Sequence, residues 1–243
     1  MSNAEILRVV GALDVTGARA ILGRQPELAR VVDDRGWTLL HVACAANARE
    51  LGVSPGRSLA MVKLLLAHGL DPDAELVADG DRLNPVWFAV ARGRNRAVVE
   101  LLARLGARPT GLFAAAWCED LAMIALLLRH GAELDEYVDD ETPFLHAWKN
   151  RRFRAAAALL RAGADIDVQD GHKLTALHYA LEHDYEPARV RWLIRQGASA
   201  ELVDANGVTA RVKAGRKHDG AYLAAVAPVR RSAGRKAGTA SWR

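Results

Sequence analysis

Apolar residues recur along the chain in paired segments that have the spacing of short amphipathic helices. The first segment of each pair is rich in Ala and begins at a Thr or an Asn. These starts are Thr38, Asn84, Thr110, Thr142, Thr175 and, in degenerate form, Thr209. The second segment is rich in Leu and ends at a glycine, namely Gly69, Gly106, Gly131, Gly163 and Gly197. The pattern predicts a series of helix–turn–helix units.

The residues at the segment ends suit that prediction. Thr and Asn cap helix N-termini through a side-chain oxygen, and Pro85 and Pro143 follow at the first helical position, which needs no N–H. The glycines stand where a helix ends in the left-handed conformation. Turn-rich segments such as DDRGW, VQDGHKL and VDANGV precede the next pair, and we expect them to form extended fingers.

Successive starts are 46, 26, 32, 33 and 34 residues apart, and the last three intervals approach the ankyrin period of about 33 residues. With its recurring T-x-L-H-like starts and Leu-rich second helices, the chain resembles the ankyrin repeat family over roughly residues 5–227. The resemblance implies an all-α solenoid with short β-turn fingers, built from about five repeats plus capping elements.

We expect a single domain over residues 1–227, followed by a basic tail, 228–243, whose composition favours disorder. The predicted parts are N-terminal capping helices 1–32, repeat 1 at 33–74, repeat 2 at 75–109, repeat 3 at 110–136, repeat 4 at 137–168, repeat 5 at 169–202 and a degenerate cap at 203–227.

Two departures from the period stand out. Repeat 1 carries an insertion at 46–59 between its helices, and connections of that length are often functional. In repeat 3, Gly106 is only four positions from Thr110, which leaves no room for a finger. We therefore expect Trp117 and Cys118, on the helix behind this gap, to be less covered than their equivalents.

Composition narrows the class of protein. Hydrophobic residues make up 51% of the 243, yet no apolar run approaches the length of about 18 residues that spans a bilayer, and the N-terminus does not resemble a signal peptide. Cys44 and Cys118 lie outside any CxxC pair, which favours a reducing cytosol. We expect a cytoplasmic protein, with secretion as an effector left open. The high Ala and Arg content suits a GC-rich bacterial genome.

The net charge of +4 is unevenly distributed. Residues 210–243 hold nine Lys and Arg and one acidic residue, whereas the other 209 residues hold 24 Lys and Arg and 28 Asp and Glu, a net of −4. The tail cations Arg230, Arg231, Arg235, Lys236 and Arg243 suit contact with nucleic acid or an anionic surface. We favour the other interpretation, a solvated terminus, because the tail is short and its one aromatic residue is Trp242.

One segment matches a catalytic motif in letters only. GVSPG at 52–56 fits the G-x-S-x-G nucleophile pattern, but the residue after Ser54 is Pro55, which has no N–H for an oxyanion hole. No strand is predicted before it, so we interpret it as a loop turn.

The histidines and acidic pairs follow the repeat. His41 and His178 occupy a position where the ankyrin resemblance implies a structural histidine. The pairs Asp33–Asp34 and Asp139–Asp140 fall in finger segments, where Asp favours turns. No metal-ligand spacing or phosphate-cradling loop occurs in the sequence. We predict no catalytic residues, no metal and no cofactor, hence a protein that is not an enzyme.

The resemblance implies a protein-binding scaffold, in which partners contact finger positions and the exposed ends of the first helices. Aromatic and Arg residues dominate binding energy at interfaces. The candidate partner-binding residues are Arg35, Trp37, Arg82, Arg92, Trp117, Tyr137, Lys149, Asn150, His172, Lys173, Glu182 and His183. Trp37 is expected to stand free of the core, while Trp117 either binds a partner or packs against the neighbouring repeat.

The function hypothesis is a non-catalytic, monomeric adaptor that binds a protein through its concave groove and finger tips. Nucleic-acid or anionic-surface association through the basic tail is the alternative. The sequence does not choose between an adaptor, an inhibitor and an effector.

Overall fold

The computed structural model of the chain describes residues 2–78, 81–138 and 140–228. Contacts group the chain into two compact units. The first unit comprises Met1–Val138 with Thr142–Ala164, and the second comprises Asp139–Glu141 with Asp165–Arg243. The tail cations and Asp139 lie outside the described residues.

The first unit is a stack of five helix pairs. In chain order its helices are α1 (Asn3–Gly11), α2 (Val15–Arg24), α3 (Leu39–Ala45), α4 (Gly56–Ala67), α5 (Pro85–Ala91), α6 (Arg96–Arg104), α7 (Leu112–Trp117), α8 (Leu121–Arg129), α9 (Pro143–Lys149) and α10 (Phe153–Ala162). Odd-numbered helices pack on one another as an inner row and even-numbered helices as an outer row. A 3-10 helix, Pro26–Arg30, follows α2.

The second unit has the same construction on a smaller scale. It contains α11 (Ala176–Glu182), α12 (Pro187–Gln196), α13 (Ala210–Gly215) and α14 (Gly220–Ala225). Helix α11 packs on α13, and α12 packs on α14.

Short β pairings form the fingers that precede the inner helices. Strands β1 (Leu76–Ala78) and β2 (Asp81–Leu83) are antiparallel, with Val77 opposite Arg82. Isolated antiparallel bridges join Val32 to Thr38 and Val203 to Thr209. The predicted fold class, all-α with short β-turn fingers in a solenoid of helix–turn–helix repeats, is confirmed. The repeat boundaries stay a prediction.

An aspartate closes each of three finger turns. Oδ1 of Asp33 accepts the backbone N–H groups of Arg35 and Trp37, both at 2.9 Å. Asp170 and Asp204 each accept the N–H groups two and four residues later in the same way. Burial opposes ionisation of Asp33, but these two bonds and Arg35 outweigh it and lower the pKa of the carboxyl.

The predicted caps are present at five of the six inner-helix starts. Side chains of Thr38, Asn84, Thr142, Thr175 and Thr209 accept the N–H three residues later. Thr110 is the exception, because Gly111 occupies the N-cap of α7 with a φ of 92°. A Cβ on Gly111 would lie 3.2 Å from Cβ of Val90, so the fingerless connection brings the backbone too close to α5 for a Thr cap.

The insertion of repeat 1 is a loop over residues 46–55, shorter than the predicted 46–59, because α4 begins at Gly56. Nδ2 of Asn95 donates to the Pro55 carbonyl at 3.3 Å and ties this loop to the next repeat. Ser54, the central residue of the G-x-S-x-G match, is exposed in a turn and accepts the N–H of Gly56.

His41 and His178 bridge successive repeats, as the resemblance implied. Nδ1 of His41 accepts the Thr38 N–H at 3.2 Å, and Nε2 lies 3.0 Å from the Ala74 carbonyl oxygen. His178 repeats this arrangement with the Thr175 N–H and the carbonyl of Val208, which is 3.2 Å away. Both rings are fully buried. The two contacts require a neutral imidazole that carries its proton on Nε2.

We expect His178→Ala to lower the free energy of unfolding by about 3 kcal/mol, because the Val208 carbonyl and the Thr175 N–H lose their partner in a buried junction. Urea titration followed by circular dichroism measures the loss. His172→Ala, an exposed change six residues earlier, is the matched control and should cost less than about 0.5 kcal/mol. Equal losses in the two variants would contradict a bridging role.

Folding stability should also depend on pH through His41 and His178. Burial lowers the pKa of both rings, with the carbonyl contacts opposing it only in part. Above about pH 7 both states are neutral and stability is complete. As pH falls through about 6.5, the unfolded chain binds protons that the folded chain does not, so stability decreases.

The measurement is the free energy of unfolding at about pH 7.5, 6.5 and 5.5. This range lies above the ordinary pKa values of Asp and Glu side chains. The double variant His41→Gln/His178→Gln should start less stable and lose less over this interval than the wild type. An identical pH slope in both proteins would refute the assignment.

Candidate partner-binding surface

Trp37 is buried, and the expectation that it stands free of the core was wrong. It is 9% exposed, and its ring meets the edge of Phe88 at a centroid distance of 4.4 Å. Phe88 belongs to α5 of the next repeat, so the indole fills the junction between the first two repeats instead of facing solvent. Trp148 is buried, whereas Trp87 and Trp192 are half-buried.

Two arginines cover what remains of the Trp37 ring. The Cζ atom of Arg35 lies 3.7 Å from the ring centroid and that of Arg92 lies 5.2 Å away. Arg35 also pairs with Asp33 at 2.6 Å. Both arginines are exposed, so a partner at this point meets guanidinium groups stacked on an indole.

Trp117 is exposed, as the missing finger predicted. It ends α7, is 46% exposed, and its ring lies 5.4 Å from the ring of His146. The ring of Phe113 lies 4.1 Å from His146, and Cζ of Arg152 lies 5.3 Å from the Trp117 centroid. We call Phe113, Trp117, His146 and Arg152 the inner-face cluster. Trp117 thus packs on a neighbouring repeat and keeps about half its surface exposed.

A polar network replaces the missing finger between α6 and α7. Asn84 donates from Nδ2 to Asp73 at 2.6 Å and to the Arg108 carbonyl at 2.9 Å, while Thr110 donates its hydroxyl to Oδ1 of Asn84. The Arg108 guanidinium bridges Asp73 at 2.9 Å and Glu75 at 2.7 Å. Burial opposes ionisation of Asp73, but Asn84 and Arg108 outweigh it and lower the pKa of its carboxyl.

Lys149 and Asn150 are half-buried at the end of α9. Nδ2 of Asn150 donates to the His146 carbonyl at 2.9 Å and lies 3.3 Å from Nε2 of the same residue. The contact places Asn150 beside the inner-face cluster, so this pair of candidates belongs with Trp117.

Arg82 and Tyr137 lie in finger segments of the first unit. Arg82 is exposed on β2, and its guanidinium is 3.3 Å from the Glu75 carboxylate. Tyr137 is 57% exposed in the turn that precedes α9. Both side chains are accessible to a partner at the finger side of the unit.

The remaining four candidates lie in the second unit. His172 and Lys173 are exposed in one finger, with Lys173 at a left-handed φ of 57°. Glu182 forms an ion pair with Lys213. His183 is exposed and stacks on Tyr179, with ring centroids 4.1 Å apart.

The lysine that pairs with Glu182 is itself held by a second carboxylate. Its Nζ lies 2.7 Å from Oδ2 of the buried Asp204. The hydrogen bond from Lys213, with the backbone bond from Val208, lowers the pKa of Asp204 to about 2. Glu182 is therefore engaged within the unit.

Three comparisons with known proteins agree with this geometry. A family model described as ankyrin repeat matches residues 35–75. Over 91% of this chain and 96% of the other, the structure matches the ankyrin repeat domain of Bcl-3 with a TM-score of 0.71 at 21% identity. The human ASB11 ankyrin repeat domain gives 0.72 at 20% identity over 92% and 98% of the two chains. The chain therefore has the fold of ankyrin repeat domains.

The curated proteins that match this chain are much longer than the segments that align with it. Ankyrin repeat protein nuc-2 of Neurospora crassa is 31% identical over 125 residues, 51% of this chain and 9% of that protein. Alpha-latroinsectotoxin-Lt1a of Latrodectus tredecimguttatus is 29% identical over 100 residues, 41% of this chain and 7% of that toxin. The chain therefore spans less than a tenth of the length of either relative.

Other functional features are sparse in the described ranges. No group of three or more His, Cys, Asp or Glu residues is placed to hold a metal among residues 2–78, 81–138 and 140–228. Over the same ranges, no helix has the length and apolarity to cross a membrane. A shallow groove of about 600 Å³ lies between the 3-10 helix and residues 68–74, away from the candidate residues.

Sequence reasoning missed Phe113, His146 and Arg152 of the inner-face cluster. Phe113 stands four residues before Trp117, in the slot that holds His41 in repeat 1, and that shared helical face was an available signal. His146 is one position after the equivalent slot, so aligning the repeats does not single it out. No residue near Arg152 in sequence indicates that its side chain lies beside Trp117.

Trp37 and Trp117 should respond differently to truncation. We expect Trp37→Ala to lower the free energy of unfolding by about 3–5 kcal/mol, since it empties a packed junction in the ankyrin stack. Trp117→Ala should cost about 1 kcal/mol or less because half of its surface is already in water. Urea unfolding of both variants decides the matter, and similar losses would contradict the assignment of Trp117 to an accessible surface.

Proposed function

We propose that the chain is a non-catalytic scaffold that binds a protein partner through the inner face of its first unit, centred on Trp117. Ankyrin repeat domains are generally protein–protein interaction scaffolds and are generally non-catalytic. The observation that supports this surface is an exposed indole flanked by Arg152, where no finger covers the inner row. Exposed Trp and Arg are the residue types that contribute most to interface energy.

The proposal assigns the other candidates unit by unit. In the first unit, Arg92, Lys149 and Asn150 lie at the ends of inner helices and supply polar contacts, with Arg35 held over Trp37. Arg82 and Tyr137 offer contacts on the finger side. In the second unit, His172, Lys173 and His183 are exposed in equivalent positions, whereas the ion pair of Glu182 makes it the weakest member of the set. Trp37 is left out because it is buried.

The proposed setting is the bacterial cytosol. Its support is two free thiols, one buried at Cys44 and one exposed at Cys118, together with the Ala- and Arg-rich composition. The alternative function, contact of the basic tail with nucleic acid or an anionic surface, rests on sequence charge alone, because the cations lie outside the described residues.

Affinity capture from a lysate of the source organism tests the proposed surface. The immobilised full chain is compared with Trp117→Ser/Arg152→Ala and with a control, Leu105→Ser/Arg161→Ala. The control removes one exposed apolar side chain and one arginine from the outer helices of the same unit. We expect the wild type and the control to capture the same protein in similar amounts. The Trp117 variant should capture about tenfold less of it, or even less than that.

Circular dichroism must show that all three proteins are folded to the same extent. Equal capture by the wild type and the Trp117 variant would overturn the assignment of the inner face. Deleting residues 229–243 should leave capture intact, and loss on that deletion would favour the tail hypothesis.

A further inference from the structure

Two connections of the first unit are strongly basic. Residues 92–96, which join α5 to the first residue of α6, read RGRNR, and residues 149–154, which run from the last residue of α9 into the start of α10, read KNRRFR. Each links the end of an inner helix to the start of its outer helix. Since every inner helix begins at the finger side, both connections lie at the opposite end of the helix pairs.

Close contacts join these connections to their neighbours. Asn95 donates to the Pro55 carbonyl, and a Cβ on Gly93 would lie 2.1 Å from the carbonyl oxygen of Cys44. On the other side, the N–H of Arg154 donates to the Glu119 carboxylate at 3.0 Å. Helix α7, which lies between the two basic connections, contacts both α5 and α9. The connections therefore form one continuous edge of the unit.

Five exposed arginines define what we call the arginine edge: Arg92, Arg94, Arg96, Arg152 and Arg154. Within the part of the chain that the structure describes, none of the five forms an ion pair. Lys149 and Arg151 belong to the same connections.

Between the two basic connections lies a third, residues 118–120 between α7 and α8, whose carboxylates accept hydrogen bonds from backbone groups. Glu119 accepts the Arg154 N–H, and Asp120 accepts the N–H of Met123 at 3.0 Å as the N-cap of α8. The edge therefore carries an excess of positive charge with little internal compensation.

The backbone of these connections has a conformation that recurs along the chain. Arg94 has a φ of 48° and Arg151 a φ of 58°, the left-handed region that glycine adopts without strain. Glu119 occupies the same position in the third connection at 53°, so the conformation belongs to the connection and needs no arginine. The same conformation recurs at the buried Leu13 between α1 and α2 and at Asp184 between α11 and α12, so it marks the turn between paired helices and does not by itself indicate a site.

We propose that the arginine edge binds a short acidic segment, rich in Asp and Glu, of the partner protein. This rests on the proposed function, since Trp117 lies between the two basic connections and would take an apolar side chain of the same segment. Guanidinium groups bind carboxylates through paired, charge-assisted hydrogen bonds, and Arg152 near the Trp117 ring places such a group at the exposed indole.

The charges around the edge favour a peptide over a nucleic acid. Residues 1–209 carry a net charge of −4, and Glu119 and Asp120 sit between the two basic connections. A nucleic-acid backbone would run beyond the edge onto acidic surface, whereas a short acidic segment ends where the arginines end.

Fluorescence anisotropy of the full chain with a labelled synthetic peptide tests the proposal. The peptide has about twelve residues, roughly 40 Å when extended, and alternates Glu and Asp around one central Leu. A second peptide replaces every acidic residue by its amide, and a labelled DNA duplex of the same charge is the nucleic-acid probe.

The matched variants reverse three charges each in the same unit. Arg92→Glu/Arg94→Glu/Arg96→Glu changes the arginine edge, while Arg19→Glu/Arg24→Glu/Arg30→Glu changes exposed arginines of α2 and the 3-10 helix. We expect the acidic peptide to bind wild type and control alike, to weaken with salt, and to lose about tenfold or more in affinity for the edge variant. The amide peptide should not bind.

Absence of acidic-peptide binding, or equal binding by both variants, would overturn the proposal. Tighter binding of the duplex than of the peptide through the same arginines would overturn it in favour of a nucleic acid. None of these results changes the outcome of the lysate experiment, which compares the wild type with the Trp117 variant. The two proposals therefore fail separately, the first on the Trp117 variant and the second on the edge variant.

Discussion

The structure depends on the inability of one helix pair to bury its own apolar face. Each pair exposes that face until the next pair covers it, so the contacts between pairs decide stability. Ala43, Ala89, Ala115 and Ala147 are fully buried on successive inner helices, and their small size lets the backbones approach closely. Close approach places backbone polar groups at the junctions away from water, and each of them needs a partner.

Two solutions to that polar requirement occur in this chain. At the first junction His41 takes a backbone N–H on one nitrogen and offers its proton to a carbonyl of the next finger. Where Trp87 replaces the histidine, Asn84 and Arg108 supply the hydrogen bonds instead. The second solution draws on charged groups, and it coincides with the place where the finger is missing and the inner row is open to solvent.

Much of the fold was accessible from local sequence, because caps, helix ends and histidine bridges depend on residues three or four positions apart or one period apart. The misses share a cause. Phe88 sets the direction of the Trp37 side chain. Val90 lies so close to Gly111 that Thr110 does not cap α7. Neither contact can be read from residues that are near in sequence. The period was broken by the insertion and the missing finger, so the repeat alignment did not place those pairs together.

The candidate surface was harder to predict than the fold. Trp117 followed from the absent finger, but its neighbours His146 and Arg152 come from the next repeat and become part of the same surface only after stacking. The arginine edge was missed for the same reason. Its two connections are separated by more than fifty positions in sequence, and nothing in either connection alone indicates that they share one end of the unit.

The left-handed backbone at Arg94 and Arg151 has a consequence for engineering the protein. A screen for thermal stability would select glycine at these positions, because each replacement relieves an unfavourable backbone conformation by about 1 kcal/mol. The same screen would remove positive charge from the connections. Gains in melting temperature and losses of positive charge at the arginine edge would then arise from the same substitutions, so stability and surface charge cannot be varied independently at these two positions.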